Sequence, residues 1–161
     1  MTIIRKINKE DYSEVCKLIT TKEEFFLVCP RGTYPLTIAQ IEALSKVRKE
    51  LTVIEENNKI IGFANLYDYE PMKFAFIGNV VIDINHRFKG LGKKLINYMV
   101  SVAFENQNLP EIRISVFNSN TRAMLLYSGM GFTPYSIESK VDSSGLKVAL
   151  IHMKKERANA T

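Results

Sequence analysis

The chain has 161 residues, of which 46% are apolar and 24% charged, a balance typical of one globular domain with a sizeable core. It contains no apolar run of about 18 residues, so we expect no membrane-spanning helix, and its charged start, MTIIRKINKEDY, is unlike a signal peptide. A net charge of +5 suits an anionic ligand, but basicity alone does not indicate nucleic acid binding. Cys16 and Cys29 have no metal-site spacing, so we expect reduced thiols in a cytoplasmic protein, with a disulfide as the alternative.

Strands dominate the predicted elements before residue 70. Alternating and β-branched segments predict strands at Thr2–Ile7, Leu51–Glu55 and Lys59–Tyr67. A turn at Asn57-Asn58 joins the last two strands into an antiparallel pair. A loop is predicted from Asp68 to Lys73.

Two helices are predicted among these strands. Asn8 is placed to cap the first helix, in which one face consists of Tyr12, Val15, Leu18 and Ile19. Thr37 and Gln40 form a capping-box pattern for the second helix, whose predicted inward face consists of Ile38, Ile41, Leu44 and Val47. The segment Glu23–Tyr34 between the helices is predicted to be irregular.

The central stretch predicts a strand, a glycine loop and a helix. Phe74–Ile82 is apolar and rich in β-branched residues, which indicates a mostly buried strand with a distortion at Gly78-Asn79. A polar turn, Asp83–Lys89, precedes Gly90-Leu91-Gly92. A helix follows and ends near Asn108, and its apolar face consists of Leu91, Leu95, Met99 and Val102.

The glycine loop at the start of this helix predicts a phosphate or pyrophosphate site. The first N–H groups of a helix lack intrahelical partners, and the helix dipole adds positive charge there. Glycines at positions 90 and 92 let a ligand approach the backbone. The surrounding cations are Arg87, Lys89, Lys93 and Lys94. The alternative is a tight turn followed by a solvated, basic helix start.

The second half predicts a parallel crossover and a terminal hairpin. Pro110 ends the long helix, and the alternation in Glu111–Phe117 predicts a strand parallel to the central one. Asn118-Ser119-Asn120 caps another helix, which Gly129 and Gly131 close. The hairpin is predicted from Phe132–Val141 and Leu146–Met153 around Ser143-Ser144-Gly145. The domain spans residues 1–154, and a polar tail, 155–161, follows.

Two motifs, each placed after a strand, carry a family resemblance. Arg87-x-x-Gly90-x-Gly92 is the first, and Asn120-x-x-Ala123-x-x-x-Tyr127-x-x-x-Gly131-Phe132 is the second. Together they resemble the GNAT superfamily of acyl-CoA-dependent N-acyltransferases. The resemblance covers Thr2 to about Met153. It implies an α/β (α+β) fold: a mixed, mostly antiparallel sheet of about seven strands with about four flanking helices and a parallel pair at 74–82 and 111–117.

The resemblance also implies residues that bind acetyl-CoA, the expected acyl donor. The pantetheine arm is expected on the backbone of Val80, Val81 and Ile82. The pyrophosphate is expected on the segment that consists of Arg87, Phe88, Lys89, Gly90, Leu91, Gly92 and Lys93. Asn120 is expected to contact the cofactor arm, and Tyr127 to lie near the sulfur. Asn118 is a weaker candidate, and the alternatives are a helix cap for Asn120 and a core aromatic for Tyr127.

The chemistry of acyl transfer to an amine assigns further roles. An alkylammonium with a pKa of about 10.4 must lose a proton before it attacks. A free backbone N–H at the distorted strand, at Val80 or Val81, is expected to stabilise the carbonyl oxygen. The leaving thiolate departs partly unaided, and Tyr127 is expected to donate a proton to it.

The general base is not evident from the sequence. Many relatives carry a glutamate on the central strand, where this chain has Phe76. The substitutes are a solvent-mediated path or one of four side chains, Glu24, Glu55, Glu70 and Tyr34. His86 falls in the phosphate loop, and His152 in the final strand is interpreted as structural.

The acceptor is expected to be a primary amine of a small molecule or protein, but its identity is not readable. The pocket is expected from Lys22–Val47 and Tyr135–Lys147. Its aromatic candidates are Phe25, Phe26, Tyr34, Tyr69 and Tyr135, and we expect at least half of these to be core side chains instead. The run Phe25–Val28 is an alternative dimer contact, so a monomer or a homodimer is expected. No metal, nucleic acid or membrane partner is expected.

Two other functions remain as alternatives to an acetyltransferase. The missing glutamate suggests a catalytically silent acyl-CoA-binding module, although Tyr127 argues against it. A nucleic-acid or phosphate-binding domain would use the basic loop, but the sequence has no patterned basic groove.

Overall fold

The computed structural model of the protein describes residues 1–159, which form a mixed sheet of seven strands. The order across the sheet is β1-β2-β3-β4-β5-β7-β6. The strands are β1 Thr2–Lys6, β2 Lys49–Glu56, β3 Lys59–Glu70, β4 Phe74–Ile82, β5 Glu111–Phe117, β6 Thr133–Val141 and β7 Lys147–Glu156. Only β4 and β5 pair in parallel within this sheet, and the other neighbours are antiparallel. The predicted fold class is confirmed.

Five α-helices flank the sheet within the described residues. They are α1 Tyr12–Val15, α2 Lys22–Val28, α3 Ile38–Val47, α4 Leu91–Ser101 and α5 Thr121–Gly129. A π-helical turn, Val102–Asn106, continues α4, and short 3-10 turns occur at Lys9–Asp11 and Ile84–His86. Among residues 1–159, no helix is both long enough and apolar enough to cross a membrane.

Helix α2 corrects the prediction of an irregular segment from Glu23. The Thr21 hydroxyl accepts a hydrogen bond from the Glu24 N–H, 3.1 Å away, which caps the helix. Phe25 is buried against the sheet and anchors the helix there. The irregular backbone therefore begins only after Val28.

The sheet has an apolar core on each face. One core lies under α4 and α5 and includes the fully buried Leu95, Ile96 and Met99. The other lies under α1, α2 and α3 and includes Val15 and Ile41.

The predicted inward face of α3 is partly wrong. Ile41 is fully buried, but Ile38 is 48% exposed and Val47 is 78% exposed. The helix packs on the core through its middle, so both of its ends stay in solvent.

Three strands extend beyond their predicted bounds, and one of them, β2, covers Lys49–Glu56 instead of Leu51–Glu55. Strand β3 continues to Glu70, which pairs with Phe74, so the predicted loop begins later than Asp68. Strand β7 continues to Glu156 instead of ending at Met153. The backbone N–H of Arg157 donates to the Pro110 carbonyl at 2.9 Å, which holds the end of β7 against the start of β5.

Candidate active site

A gap opens in the sheet where β4 and β5 separate. Their parallel pairing joins Phe74–Ile77 to Glu111–Ile114 and then stops. On its other side, β4 has a register shift against β3, and Asn79 takes a φ of 52°. Within the described sheet, Asn79 and Val80 have no register partner in β3 or β5. The distortion predicted at Gly78-Asn79 is therefore present, and it leaves the Val80 backbone at the gap.

The buried Asn79 side chain holds this distortion in place. Its Oδ1 accepts hydrogen bonds from Arg48 at 2.7 Å and from Asn65 at 2.8 Å, and its Nδ2 donates to the Val28 carbonyl at 2.8 Å. Asparagine tolerates a positive φ better than most residues do. The bulge is thus tied to β3, to α2 and to the arginine before β2.

Gly78 makes room for two side chains at this point. A Cβ at Gly78 would lie 2.5 Å from Arg48 Nη1 and 2.5 Å from Tyr67 Cδ1. The Arg48 guanidinium carbon lies 4.4 Å from the centre of the Tyr67 ring, a cation–π distance. Burial lowers the pKa of Arg48 and raises the pKa of Tyr67.

Two cavities meet at the gap. The larger, of about 560 Å³, extends from β4 to the start of α4, and the smaller, of about 350 Å³, extends towards β6 and β7. The residues that line both cavities are Leu27, Val28, Val80, Asn120 and Tyr127. A molecule in one cavity can therefore contact a molecule in the other at Val80 and Tyr127.

The larger cavity brings together most of the residues predicted to bind the acyl donor. Its walls include Val80, Val81, Ile82, Arg87, Phe88, Gly90, Leu91, Gly92, Lys93, Asn120 and Tyr127. Lys89 and Asn118 lie outside both sets of walls. The Asn118 side chain instead accepts a hydrogen bond from the Ala149 N–H at 3.0 Å, which ties the end of β5 to β7. Their predicted roles in binding stay predictions.

The backbone at the start of α4 is open to a ligand. Gly90 has a φ of 78°, and a Cβ there would meet no atom within 4 Å. The first hydrogen bond within the helix runs from the Lys94 N–H to the Gly90 carbonyl. The N–H groups of residues 91–93 therefore have no acceptor within the helix. Gly92 is also uncrowded, since a Cβ would come no closer than 3.8 Å to Leu126. This arrangement can hold an anion.

Arg87 connects this loop to α2. Its Nη2 lies 2.8 Å from Glu24 Oε1, and its Nε donates to the Ile82 carbonyl at 2.9 Å. The ion pair fixes the arginine at the cavity wall and occupies the Glu24 carboxylate. Phe88 is 82% exposed, and the guanidinium carbon of Arg122 lies 3.9 Å from the centre of its ring.

Asn120 and Tyr127 occupy the junction of the cavities. Asn120 caps α5, because its Oδ1 accepts from the Ala123 N–H at 3.3 Å, while the residue also lines both cavities. Tyr127 is 7% exposed, and its hydroxyl forms no hydrogen bond within residues 1–159. Burial raises the pKa of Tyr127 to about 12. The phenol is therefore protonated near neutral pH and can donate a proton.

The smaller cavity contains three polar residues that the sequence did not identify as a site. Ser115 Oγ lies 2.7 Å from His152 Nδ1, and His152 Nε2 lies 3.0 Å from Glu138 Oε1. Phe76, which stands at the usual glutamate position, packs its ring against His152 with centroids 6.1 Å apart. The pairing of Ser115 with His152 across β5 and β7 is set by strand register, which spacing along the chain does not reveal.

The four substitute bases predicted from the sequence lie outside the walls of the smaller cavity. Glu24 is paired with Arg87, and Glu55 lies 3.4 Å from Arg5. The Tyr34 hydroxyl donates to the Thr20 carbonyl at 3.0 Å, and Glu70 is exposed at the end of β3. Glu55, Glu70 and Tyr34 line neither cavity, and Glu24 lines only the larger one.

The aromatic wall predicted for the acceptor is reduced to one of its members. Phe26 lines the smaller cavity and stacks on Phe117, with ring centroids 4.7 Å apart. Phe25 is a core residue, and Tyr34 packs on it at 5.7 Å. The remaining aromatic wall of the cavity comes from Tyr67, Phe76, Phe117 and Tyr127.

Cys16 and Cys29 are both free thiols. Burial raises the pKa of Cys29 to about 11, so this thiol is not a ready nucleophile. Within residues 1–159, no group of three or more His, Cys, Asp or Glu side chains is placed to hold a metal ion.

Comparison with protein families gives one match that covers most of the chain. The model of the acetyltransferase (GNAT) family matches residues 10–132. Among curated proteins, the UPF0039 protein C11D3.02c of Schizosaccharomyces pombe is 24% identical over 130 residues, which is 81% of this chain and 82% of that protein.

Solved structures share the whole fold. The N-acetyltransferase from Staphylococcus aureus Mu50 superposes with a TM-score of 0.79 at 18% identity and covers 97% of this chain and 98% of that one. The ribosomal-protein-S18-alanine N-acetyltransferase from Escherichia coli superposes with a TM-score of 0.78 at 20% identity and covers 100% of this chain and 97% of that one. The structure of yncA from Salmonella typhimurium, which contains its cofactor acetyl-CoA, has a TM-score of 0.76 at 19% identity. It covers 100% of this chain and 97% of that one.

Proposed function

The chain belongs to the acetyltransferase (GNAT) family, and we propose that it transfers the acetyl group of acetyl-CoA to a primary amine by direct attack in a ternary complex. The observation that carries this proposal is the meeting of two cavities at Val80, Asn120 and Tyr127. One cavity suits the acyl donor and the other suits the acceptor. Direct transfer requires that the two reactants touch, and this junction is where they would do so.

The residues of the larger cavity fit acetyl-CoA. The free N–H groups and the positive dipole end of α4 suit a pyrophosphate, and the open space at Gly90 lets it reach the backbone. Val80, Val81 and Ile82 offer strand backbone to an extended pantetheine arm. Acetyl-CoA would supply an acyl group that is activated as a thioester.

At the junction, two groups of this chain suit the chemistry. The Val80 backbone lies where β4 has left β5, so its N–H can be directed at a carbonyl oxygen and stabilise the charge that develops there. The protonated Tyr127 hydroxyl can donate to a departing sulfur. A thiolate with a pKa of about 8.5 needs only modest help to leave, so we assign most of the rate to the positioning of the two reactants.

The proposal is tested with acetyl-CoA and a panel of primary amines that includes small alkylamines, amino acids and peptides with free N-termini. Thiol release is measured, and the acetylated product is identified by mass spectrometry. We expect one acetylated amine per thiol released. When both substrates are varied, we expect intersecting lines in double-reciprocal plots of the initial rate. Parallel lines would instead indicate a covalent acetyl-enzyme and contradict direct attack.

The same assay separates an enzyme from a silent acyl-CoA-binding module. A silent module would bind acetyl-CoA but release no thiol with any amine in the panel. A chain that binds neither acetyl-CoA nor CoA would contradict both functions.

A further inference from the structure

Three polar side chains on adjacent strands form a hydrogen-bonded chain in the smaller cavity, the one that suits the acceptor. Ser115 on β5 contacts His152 on β7 at 2.7 Å, and His152 contacts Glu138 on β6 at 3.0 Å. All three line the smaller cavity, which meets the larger one at Val80 and Tyr127. Ser115 follows directly after Ile114, the last residue of β5 that pairs with β4, so it stands at the mouth of the gap.

The geometry determines the direction of the hydrogen bonds in this chain. Hydrogen bonds from Lys140 and His152 hold the pKa of Glu138 below its usual range, so its carboxylate is ionised and can only accept. His152 Nε2 must therefore carry the proton. In the neutral imidazole, Nδ1 then has the free lone pair and accepts from the Ser115 hydroxyl. Ser115 Oγ has two lone pairs: the Tyr67 phenol, which is in hydrogen-bonding contact with this serine, can occupy one, and the other remains available to a donor in the cavity.

We propose that Ser115 and His152, with Glu138 holding the imidazole in place, take up the proton that the acceptor ammonium must lose before it attacks. This assignment rests on the proposed function. The ammonium N–H bond breaks as a new bond forms to Ser115 Oγ, while Ser115 passes its own proton to His152 Nδ1. The amine becomes neutral and the imidazole becomes an imidazolium, so charge and protons balance. Glu138 is a positioning residue, because it fixes the tautomer of His152 and stabilises the imidazolium.

The other groups around His152 are less suited to this role. Lys140 is a cation that lies 2.7 Å from Glu138, and Tyr135 packs on the imidazole with ring centroids 6.1 Å apart. Tyr67 on β3 faces Ser115, and burial raises the pKa of its phenol. Asp68, the carboxylate on the opposite wall, lies 3.9 Å from Arg31. An imidazole is the side chain that ordinarily changes charge near neutral pH, as a base for this reaction must.

The test compares His152→Gln and Glu138→Gln with a matched control, Glu156→Gln. Glu156 is also an exposed carboxylate paired with a lysine, Lys154 at 3.8 Å, but it lies outside the walls of both cavities. The value of kcat is measured between about pH 5.5 and pH 9.5, with the best amine of the panel. If no amine in the panel is accepted, hydrolysis of acetyl-CoA is measured, because water as the nucleophile needs the same base.

We expect His152→Gln to lower kcat by about 100-fold or more and to abolish the ionisation in the pH profile, with the Kd for acetyl-CoA unchanged. Added imidazole is expected to restore part of the rate. In Glu138→Gln the inflection should move to lower pH, because a neutral amide stabilises an imidazolium less than a carboxylate does. Glu156→Gln should keep the wild-type profile. If the His152→Gln variant does not fold, the position of the inflection in the kcat–pH profile of Glu138→Gln decides whether the assignment holds.

Three results would overturn the assignment. The first is a His152→Gln enzyme that keeps its inflection and a kcat within about threefold of the wild type. The second is a Glu138→Gln profile identical to that of the wild type. The third is an acetyl adduct on Ser115 after incubation with acetyl-CoA, which would make the serine a nucleophile. Failure of the wild type to bind acetyl-CoA is distinguishable from these, and it would remove the proposed function together with this assignment.

Discussion

Substitution of Gly90 by glutamate tests the predicted pyrophosphate site. The residue caps α4 at a φ of 78°, and a Cβ there would meet no atom within 4 Å, so the first atom of a new side chain meets no steric obstacle. It would place a carboxylate where the phosphate is expected. Gly145 offers a matched control, because it has a φ of 84° and equally open surroundings in the β6–β7 turn, outside both cavities.

The two substitutions are expected to have the same cost in stability but different effects on binding. A residue other than glycine in the left-handed region costs about 1–2 kcal/mol, which lowers Tm by about 4 °C for a chain of this size. Two like charges about 4 Å apart repel by about 4 kcal/mol at an effective dielectric constant of about 20. Solvent screening at this exposed loop reduces the repulsion. A repulsion of half that size, about 2 kcal/mol, still weakens binding roughly 30-fold.

Calorimetric titration with acetyl-CoA, CoA and dephosphorylated CoA measures this effect, and thermal unfolding measures the cost in stability. We expect micromolar binding by the wild type and by Gly145→Glu, and binding at least tenfold weaker by Gly90→Glu. Equal affinities in Gly90→Glu and Gly145→Glu would refute the placement of the pyrophosphate at α4.

Three further predictions concern the junction of the cavities and the core. Tyr127→Phe should lower kcat about tenfold without changing the affinity for acetyl-CoA. Because burial raises the pKa of Tyr127 to about 12, the kcat of the wild type should show no decrease from ionisation of this acid up to about pH 10. Gly78→Ala should destabilise the fold by about 1–3 kcal/mol in urea unfolding and raise the acceptor KM, because the new Cβ displaces Arg48 and Tyr67; an unchanged Tm and KM would contradict this. The Cys29 thiol should lower the free energy of unfolding by about 2 kcal/mol between pH 9 and pH 11, because its pKa is raised from 9.0 to about 11 and the unfolded thiol ionises first. Cys29→Ala should remove this contribution, and an unchanged pH dependence of unfolding in that variant would contradict its origin.

The central part of the fold was predictable because its signals are local. The glycine pair at residue 90 and residue 92, the apolar run before it and the helical spacing after it lie within about 30 residues, and they determined β4, the loop and α4. The distortion at Gly78-Asn79 also had a local signal, since an apolar strand interrupted by such a pair indicates a bulge. These are the elements that form the larger cavity.

Helix α2 had a local signal that the sequence analysis missed. Thr21 is followed three residues later by Glu24, which is the spacing of a capping box, and the Thr21 hydroxyl does cap the helix. The aromatic run after it suggested an irregular, apolar segment. The capping pattern was the better guide, because a helix start depends on a few specific residues.

The polar chain of Ser115, His152 and Glu138 in the smaller cavity could not be predicted as a unit. Ser115 and His152 are 37 residues apart, and they meet only because β7 pairs with β5 in one register. Glu138 and His152 belong to a predictable hairpin, so their proximity could have been inferred from its turn. The interpretation of His152 as structural rested on its strand position alone, which does not reveal the cavity beside it.

The most direct test of the account is a crystal structure of the protein with acetyl-CoA. We expect the pyrophosphate at the N-terminus of α4, the pantetheine arm along Val80–Ile82 in the gap between β4 and β5, and the thioester sulfur within hydrogen-bond distance of the Tyr127 hydroxyl. Acetyl-CoA bound elsewhere, or bound with its thioester away from the junction of the two cavities, would contradict this expectation.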